Sequence, residues 1–311
     1  MNTVLFGDAR ASLATFKAFG VKAQMCVTSP PYFRQRDYGV EGQFGQEETP
    51  EEYVANLVDV FRGVRDLLAD DGTFWLNIGD GWASRGGQGP QTNAGAQRGS
   101  GVQVTKSARF HGGEYKEKDL FGIPWMLAFA LRADGWYLRQ EIIWAKAESG
   151  DAREGRCMPS SATDRFTTSH ETIFLLSKQP KYHFDADAVK EPAQDWGKPR
   201  DRSNMRGGTT DPHLKHGGLS RVDHPMGNRR SVWRVSPAGF KGAHFAVYPW
   251  RLIEPCVLAG SRPGDIVLDP FMGSGTTAGV ALKHGRQYIG CELNREYESL
   301  QAERIASIIS A

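Results

Sequence analysis

The sequence has little of what marks a secreted, membrane or metal-binding protein. Its four cysteines are widely separated and form no Cys-x-x-Cys pair, which argues against a disulfide scaffold and the common zinc sites. No apolar run reaches the ~18 residues that a membrane span needs. The first residues lack the charged and apolar regions of a signal peptide. We therefore expect a cytoplasmic protein with no membrane contact. The net charge of +2 by itself indicates no partner.

A chain of 311 residues can bury a sizeable core, and one large domain with an insertion fits that length as well as two domains. Short apolar runs that indicate buried strands alternate with segments of helical period. In an open α/β sheet, ligands lie outside the carboxyl ends of the strands. Polar residues close several predicted strands and would meet in one cleft: Asp8, Ser29, Asp80, Asp269 and Glu292.

Residues 28–32, Thr-Ser-Pro-Pro-Tyr, follow a predicted strand at 23–27. The two prolines end the strand because they fix φ and lack an N–H group. The segment presents the acceptors Ser29 Oγ and the carbonyls of Ser29 and Pro30, beside the aromatic ring of Tyr32. These groups suit a planar molecule that donates through an amino group. A plain Pro-Pro turn after a strand is the alternative interpretation.

A second predicted strand, 265–269, leads into Asp-Pro-Phe-Met-Gly-Ser-Gly-Thr-Thr at 269–277 and an apolar helix at 278–284. This order lets a nucleotide approach the backbone closely. The loop is not a P-loop, because no Gly-Lys-Ser/Thr follows, and it lacks the third glycine of a dinucleotide fingerprint. The next strand, 287–291, ends in Glu292, where an acid can accept hydrogen bonds from ribose hydroxyls. The order therefore predicts a nucleoside site.

The two motifs together resemble those of the amino-group DNA methyltransferases that use S-adenosylmethionine. Ser-Pro-Pro-Tyr precedes the glycine loop, which is the motif order of the permuted, β-type class. Phe-Gly-Asp at 6–8, His-Phe-Ala-Val-Tyr-Pro at 244–249 and Cys-Glu-Leu-Asn at 291–294 also match. The resemblance covers nearly the whole chain except the stretches near 84–118 and 147–235.

The resemblance implies the Rossmann-like α/β fold of class I methyltransferases. We expect a mostly parallel seven-stranded sheet with helices on both faces, circularly permuted, with one antiparallel strand and an irregular DNA-recognition insert. Residues 1–146 would form the catalytic half, with a flexible loop near 84–118. Residues 147–235 would form the target-recognition region, including a sheet strand near 172–177, and residues 236–311 the cofactor-binding half.

The resemblance also implies roles for single residues. Asp8 would lie beside the adenine of the cofactor, although it can equally cap the next helix, and Phe245 and Pro249 would lie at the methionine end. The motif expected to act on the target amine is Ser29, Pro30, Pro31 and Tyr32. The residues expected to contact S-adenosyl-L-methionine are Asp8, Phe245, Pro249, Asp269, Phe271, Gly273, Ser274, Gly275, Thr276, Thr277, Glu292 and Asn294.

Basic residues are concentrated in the irregular part of the chain. Residues 196–235 hold nine Lys or Arg against three Asp in a glycine-rich stretch, which is typical of a surface that contacts phosphates. A merely solvated face is the alternative. Together with the motifs, this charge favours double-stranded DNA as the partner. The candidate DNA contacts are Arg34, Arg36, Arg85, Arg98, Lys198, Arg200, Arg202, Arg206, Arg229 and Arg230.

An exocyclic amine is a poor nucleophile because its lone pair is delocalised into the ring. Hydrogen-bond acceptors on both N–H bonds, here Ser29 Oγ and the Pro30 carbonyl, would localise that lone pair on the nitrogen. The reaction then needs no covalent enzyme intermediate, and positioning of the reactants gives most of the rate enhancement. The base must be flipped out of the duplex. Methylation at cytosine C5 would instead need a thiolate, and we interpret Cys256 as a core residue because it lies in an apolar helical stretch, 252–258.

Within the family, Ser at the first motif position favours N4 of cytosine over N6 of adenine, which is the alternative. A non-catalytic DNA-binding protein with a vestigial pocket and a methyltransferase of RNA or protein are further hypotheses. The resemblance points to a bacterial or phage-encoded protein. It admits a homodimer and a cognate restriction endonuclease as further partners, and it leaves the recognition sequence open.

Overall fold

The computed structural model describes residues 1–83, 115–146, 160–192, 226–237 and 248–311. The strands are β1 (Asn2–Phe6), β2 (Ala23–Thr28), β3 (Leu68–Ile78), β4 (Tyr137–Ala145), β5 (His170–Ser177), β6 (Glu191–Pro192), β7 (Met226–Gly227), β8 (Val232–Arg234), β9 (Ile266–Asp269) and β10 (Gln287–Glu292). The α-helices are α1 (Ala9–Ala18), α2 (Pro50–Leu67), α3 (Ile123–Ala133), α4 (Trp250–Gly260), α5 (Thr276–Lys283) and α6 (Tyr297–Ile309). In these ranges no helix is long and apolar enough to cross a membrane.

Eight of the described strands form one large sheet in the order β1-β10-β9-β2-β3-β5-β4-β8, and β6 and β7 form a separate antiparallel pair. The neighbours from β1 to β3 pair in parallel, β5 runs antiparallel to both β3 and β4, and β8 pairs in parallel with β4. The Rossmann-like α/β prediction with one antiparallel strand is confirmed. The permuted order is also seen, because β2 precedes β9 along the chain and lies beside it in the sheet.

The described residues add an eighth strand to the predicted seven. Residues 232–234 pair with residues 143–145 at the sheet edge. The buried indole of Trp233 anchors this strand, and its ring N–H donates to the Arg230 carbonyl at 2.7 Å. The sequence predicts an irregular segment here, because a three-residue strand is too short for its alternation to be read.

Helices cover both faces of the sheet, as predicted. Buried apolar residues of α1, α2 and α3 pack on one face, and those of α4, α5 and α6 pack on the other. The start of α2 has a complete cap, since Thr49 Oγ1 accepts from the Glu52 N–H at 3.1 Å and Pro50 occupies the first turn. That helix ends at Leu67, because the buried Leu68 already pairs with Ala23 in the sheet.

Asp80 has a structural role. It follows β3 as predicted, and its carboxylate accepts from the N–H groups of Gly122 and Ile123 at 3.0–3.2 Å. It therefore caps α3, which begins at Ile123, from a distant part of the chain. Burial raises the pKa of Asp80. The prediction that Asp80 faces the cleft is wrong, because its oxygens point to the helix.

Candidate active site

A cavity of about 410 Å³ opens at the carboxyl edge of the sheet. Its wall includes residues 29–32 from the end of β2 and residues 270–274 from the loop after β9. Tyr32 and Gly273, which are far apart in sequence, thus line the same space. The ends of β1 and β10 add residues 7–9 and 291–294. Of the five strand-end residues expected to meet in one cleft, Asp8, Ser29 and Glu292 line this cavity, whereas Asp80 and Asp269 do not.

The glycine loop after β9 forms one wall through its backbone. Gly273 and Gly275 have φ values of 52° and 86°, a region that favours glycine. The Gly273 N–H donates to Glu292 Oε2 at 2.7 Å, and the Asn294 N–H donates to Glu292 Oε1 at 2.8 Å. Burial raises the pKa of Glu292. This acid thus fixes the loop against β10 while its carboxylate stays at the cavity wall.

Asp8 both lines the cavity and caps a helix. Its Oδ1 accepts from the N–H groups of Arg10 and Ala11 at 2.8 and 3.2 Å, which starts α1. The Arg10 guanidinium, 3.0 Å from Asp8 Oδ2, lowers the pKa of Asp8. The alternative interpretation as a helix cap is therefore correct, and the position at the cavity wall holds as well.

Asp269 lies beneath the glycine loop and outside the cavity wall. Its carboxylate accepts from the hydroxyls of Thr28 and Thr277 at 2.5 and 2.6 Å and from the Phe271 N–H at 3.0 Å. The Tyr248 hydroxyl lies 3.3 Å from Asp269 Oδ2. Burial raises the pKa of Asp269 despite these donors. Its contacts are those of an internal brace that ties β2, β9 and α5 together.

The structure brings only part of the predicted cofactor set to the cavity. Of the described candidates, those in the wall are Asp8, Phe271, Gly273, Ser274, Thr276, Glu292 and Asn294. Those outside the wall are Pro249, Asp269, Gly275 and Thr277. Asp269 and Thr277 are buried side chains that bond each other. Phe245 lies outside the described residues.

In the opposite wall, hydrogen bonds and an ion pair link the side chains of Ser29, Tyr32, Glu171 and Lys146 in series. Ser29 Oγ donates to the Tyr32 hydroxyl at 3.3 Å. That hydroxyl lies 2.7 Å from Glu171 Oε2 and 3.1 Å from Asn77 Oδ1. The other oxygen of Glu171 forms a 2.6 Å ion pair with Lys146. Burial raises the pKa of Tyr32 well above its ordinary value, and the Glu171 charge adds to the effect.

Sequence reasoning missed Asn77, Lys146 and Glu171, which all line the cavity. Asn77 and Lys146 lie at the ends of β3 and β4. Glu171 lies at the start of β5, and because β5 is antiparallel its first residues reach the same edge as the ends of its neighbours. A signal was available, since one strand was expected to be antiparallel. That expectation places the polar start of β5, rather than its end, at the cleft.

The ring of Tyr32 packs closely against the backbone of Gly79. A Cβ atom added at Gly79 would lie 2.6 Å from Tyr32 Cε2 and 2.9 Å from Cδ2. The backbone of the motif is fixed as well, because the Tyr53 hydroxyl donates to the Pro31 carbonyl at 2.7 Å. The Ser29–Tyr32 segment is thus rigid in both its main chain and its aromatic ring.

The loop at 33–45 is packed against the site. Phe44 is buried and meets the Phe271 ring edge-on at 5.5 Å. The Arg34 guanidinium donates to the Glu47 carbonyl at 2.9–3.1 Å, so this candidate DNA contact supports the loop. Arg36 lines the cavity, and its buried Nη1 has no hydrogen-bond partner among the described residues. Arg36 therefore offers a cation to the cavity rather than to an open surface.

The remaining candidate DNA contacts are only partly described. Arg229 is exposed, with its guanidinium 5.1 Å from the Trp233 ring centre. Arg230 is exposed and pairs with Glu191 at 2.5 Å. The other candidates lie outside the described residues: Arg85, Arg98, Lys198, Arg200, Arg202 and Arg206.

Cys256 is a core residue, as interpreted from the sequence. Its side chain is fully buried in α4, and burial raises the pKa of its thiol. It does not belong to the cavity wall. A buried thiol with a raised pKa cannot serve as the thiolate that methylation at C5 requires.

The comparisons with known proteins decide the family. The model of a DNA methylase family matches residues 23–304. The chain belongs to this DNA methylase family. It is an S-adenosyl-L-methionine-dependent DNA amino-methyltransferase of the N4/N6 class. The type II methyltransferase M.SmaI of Serratia marcescens is 43% identical over 305 residues, which cover 97% of this chain and 90% of that relative.

Solved structures of similar proteins agree with the fold. A protein of Thermus thermophilus, assigned as a DNA modification methylase and solved with S-adenosyl-L-methionine, is 25% identical. It matches with a TM-score of 0.56 over 99% of this chain and 96% of that one. The PvuII DNA methyltransferase, described as cytosine-N4-specific, is 18% identical and matches with a TM-score of 0.59 over 100% of this chain and 92% of that one.

Proposed function

We propose that this DNA methyltransferase transfers a methyl group to the exocyclic N4 of cytosine in duplex DNA. The observation that carries the proposal is the shared cavity, with the acceptor segment Ser29–Tyr32 on one wall and the glycine loop on the other. A flipped base and a nucleoside cofactor can meet only where both walls are within reach. Adenine N6 is the second candidate, because its amine presents the same geometry.

The residues of the glycine-loop wall fit the cofactor. We assign the ribose hydroxyls to Glu292, whose carboxylate is buried at the wall and already held by two backbone N–H groups. The free Nη1 of Arg36 suits the carboxylate of the methionine end. Asp8, Phe271 and Asn294 complete the wall. When bound, the cofactor supplies an activated methyl group on its sulfonium.

The residues of the opposite wall prepare the amine. Ser29 Oγ and the Pro30 carbonyl accept the two amino hydrogens, which localises the nitrogen lone pair toward the methyl group. The ring of Tyr32, held by Gly79, gives the base a stacking surface. Because these groups are fixed before the substrate enters, little reorganisation is needed during the reaction.

Cytosine is favoured over adenine by the first motif position. Ser29 is a neutral acceptor, where the adenine-specific pattern of the resemblance has Asp. The name of the PvuII enzyme, a cytosine-N4-specific relative in fold, points the same way. The decisive test is methylation of mixed-sequence DNA with labelled cofactor, followed by mass spectrometry of the nucleosides. N4-methylcytosine supports the proposal, and N6-methyladenine alone would replace it with the second candidate.

We infer that the protein contacts DNA through residues 147–235 and that the segments 1–146 and 236–311 form the catalytic and cofactor halves. The exposed Arg229 and Arg230 beside β8 support this division. We also propose a cognate restriction endonuclease and a homodimer. Sedimentation with and without a DNA duplex tests the dimer, and cleavage of unmethylated but not methylated DNA by a neighbouring gene product tests the endonuclease.

A further inference from the structure

The chain of contacts from Ser29 to Lys146 goes beyond what positioning of the amine requires. We propose that Glu171 is the final acceptor of the proton that leaves the methylated amine, and that this proton travels through the hydroxyls of Ser29 and Tyr32. The inference rests on the proposed function of the cavity. It holds for either target base, since both amines must lose one proton.

The charge of Glu171 fixes the direction of the hydrogen bonds. A phenol has one hydrogen, and the carboxylate at 2.7 Å is a stronger acceptor for it than the Asn77 amide oxygen at 3.1 Å. The Tyr32 oxygen can then only accept from Ser29, as the 3.3 Å contact has it. Ser29 uses its only hydroxyl hydrogen in this bond, so its oxygen can offer only lone pairs to the cavity. Glu171 therefore makes Ser29 an acceptor toward the substrate amine.

The atoms balance along this route. The nitrogen forms the new bond to the methyl carbon as the bond from that carbon to sulfur breaks. The nitrogen then releases one hydrogen ion to Ser29 Oγ. The Ser29 hydrogen passes to the Tyr32 oxygen, and the Tyr32 hydrogen passes to Glu171 Oε2. The hydroxyls end as they began, and Glu171 carries the proton.

The surroundings of Glu171 suit this role. Lys146 binds its other oxygen at 2.6 Å and so fixes the orientation of the carboxylate, with Oε2 toward Tyr32. The Asn77 amide donates to the Thr172 carbonyl at 3.2 Å, which turns its oxygen toward Tyr32 and holds the strand ends in register. Lys146 and Glu171 both keep partial solvent exposure, at 25% and 16% of their side chains. The proton can thus leave to water between turnovers.

The test separates proton transfer from positioning. In Glu171→Gln the amide oxygen can still accept from Tyr32, but the carboxylate that takes the proton and its ion pair with Lys146 are both lost. We expect the single-turnover methylation rate to fall about 10²-fold, the scale of general base catalysis, with cofactor and DNA dissociation constants unchanged. Glu171→Asp should recover part of the rate. Glu141→Gln, a matched change on β4 outside the cavity wall, should behave as the wild type.

A double variant and a cofactor-free measurement complete the design. Tyr32→Phe keeps the ring and breaks the route, so adding Glu171→Gln to it should cost nothing further. In the protein without cofactor, Glu171→Gln should lower the pKa of Tyr32. The absorbance of tyrosinate measures this pKa, and the same titration of Tyr32→Phe identifies the signal of Tyr32. A wild-type rate in Glu171→Gln, or additive losses in the double variant, overturns the relay. Wild-type protein that methylates no DNA contradicts the proposed function instead.

Discussion

The two walls of the cavity are built on different principles. The cofactor wall is centred on one continuous loop whose shape is set by glycine backbone and by main-chain hydrogen bonds to Glu292 at the end of β10. The target wall is assembled from side chains at the ends of four strands, β2, β3, β4 and β5. Its contacts join residues as distant as Tyr32 and Glu171, 139 positions apart. The central loop of the first wall is set by contacts between residues close in sequence, whereas the second wall depends on the register of the sheet.

Removing the serine hydroxyl should separate the walls most clearly. In Ser29→Ala the amine loses one of its two acceptors, and we expect the single-turnover rate to fall roughly 10³-fold, by analogy with a lost oxyanion-hole group. Cofactor affinity, measured by calorimetry, should stay at the wild-type value because the loop wall is untouched. Ser310→Ala, an exposed change at the end of the chain, is the control. Parallel loss of cofactor binding would show that the walls are not independent.

A methyl group at Gly79 should disturb the target wall without removing any polar group. The added Cβ would lie 2.6 Å from the Tyr32 ring, so the ring must move toward the cavity. A displacement of this size can cost roughly 10²-fold in rate, and we expect a loss on that scale in Gly79→Ala. The matched control is Gly81→Ala, whose Cβ would meet the Phe121 ring at an ordinary 3.5 Å. Equal rates in both variants would contradict the role of Gly79.

The same contrast explains what the sequence could predict. Ser29–Tyr32 and the glycine loop were found because each motif is contiguous and its proline or glycine content dictates backbone shape. Asn77, Lys146 and Glu171 were missed because they are single polar residues in strands, and only pairing with the antiparallel β5 brings them together. The motif position of Asp269 predicts a cofactor contact, yet the orientation of its side chain depends on Thr28 and Thr277.

Asp269 tests whether the cofactor wall rests on a buried brace. In Asp269→Ala the Phe271 N–H and the surrounding hydroxyls lose their acceptor, so we expect the free energy of unfolding to fall by about 2 kcal/mol. Asp269→Asn should lower the free energy of unfolding by less, because a hydroxyl of Thr28 or Thr277 can accept from the amide NH2 group instead of donating. Urea denaturation measures both.

The pH dependence of the same brace has a definite sign. Burial raises the folded-state pKa of Asp269, so the folded protein holds the proton more tightly than the unfolded chain does. The contribution of Asp269 to the free energy of unfolding is therefore present at acid pH and declines as pH rises through the raised pKa. The advantage of the wild type over Asp269→Asn should therefore shrink with rising pH, and an advantage that grows would contradict the assignment.

Glu292 gives the smallest expected effect and the finest test of the cofactor wall. Glu292→Gln replaces a charged acceptor by a neutral amide, so we expect cofactor affinity to fall about tenfold, or about 1.4 kcal/mol, while the rate at saturating cofactor stays near wild type. Because burial raises the pKa of Glu292, the wild-type carboxylate becomes protonated at a higher pH than an ordinary glutamate. Calorimetry across the acid range should show wild-type affinity declining as pH falls and a flat profile for Glu292→Gln. A decline of equal size in both proteins would show that another group titrates. Asp8 cannot be that group except at the lowest pH, because its pKa is lowered.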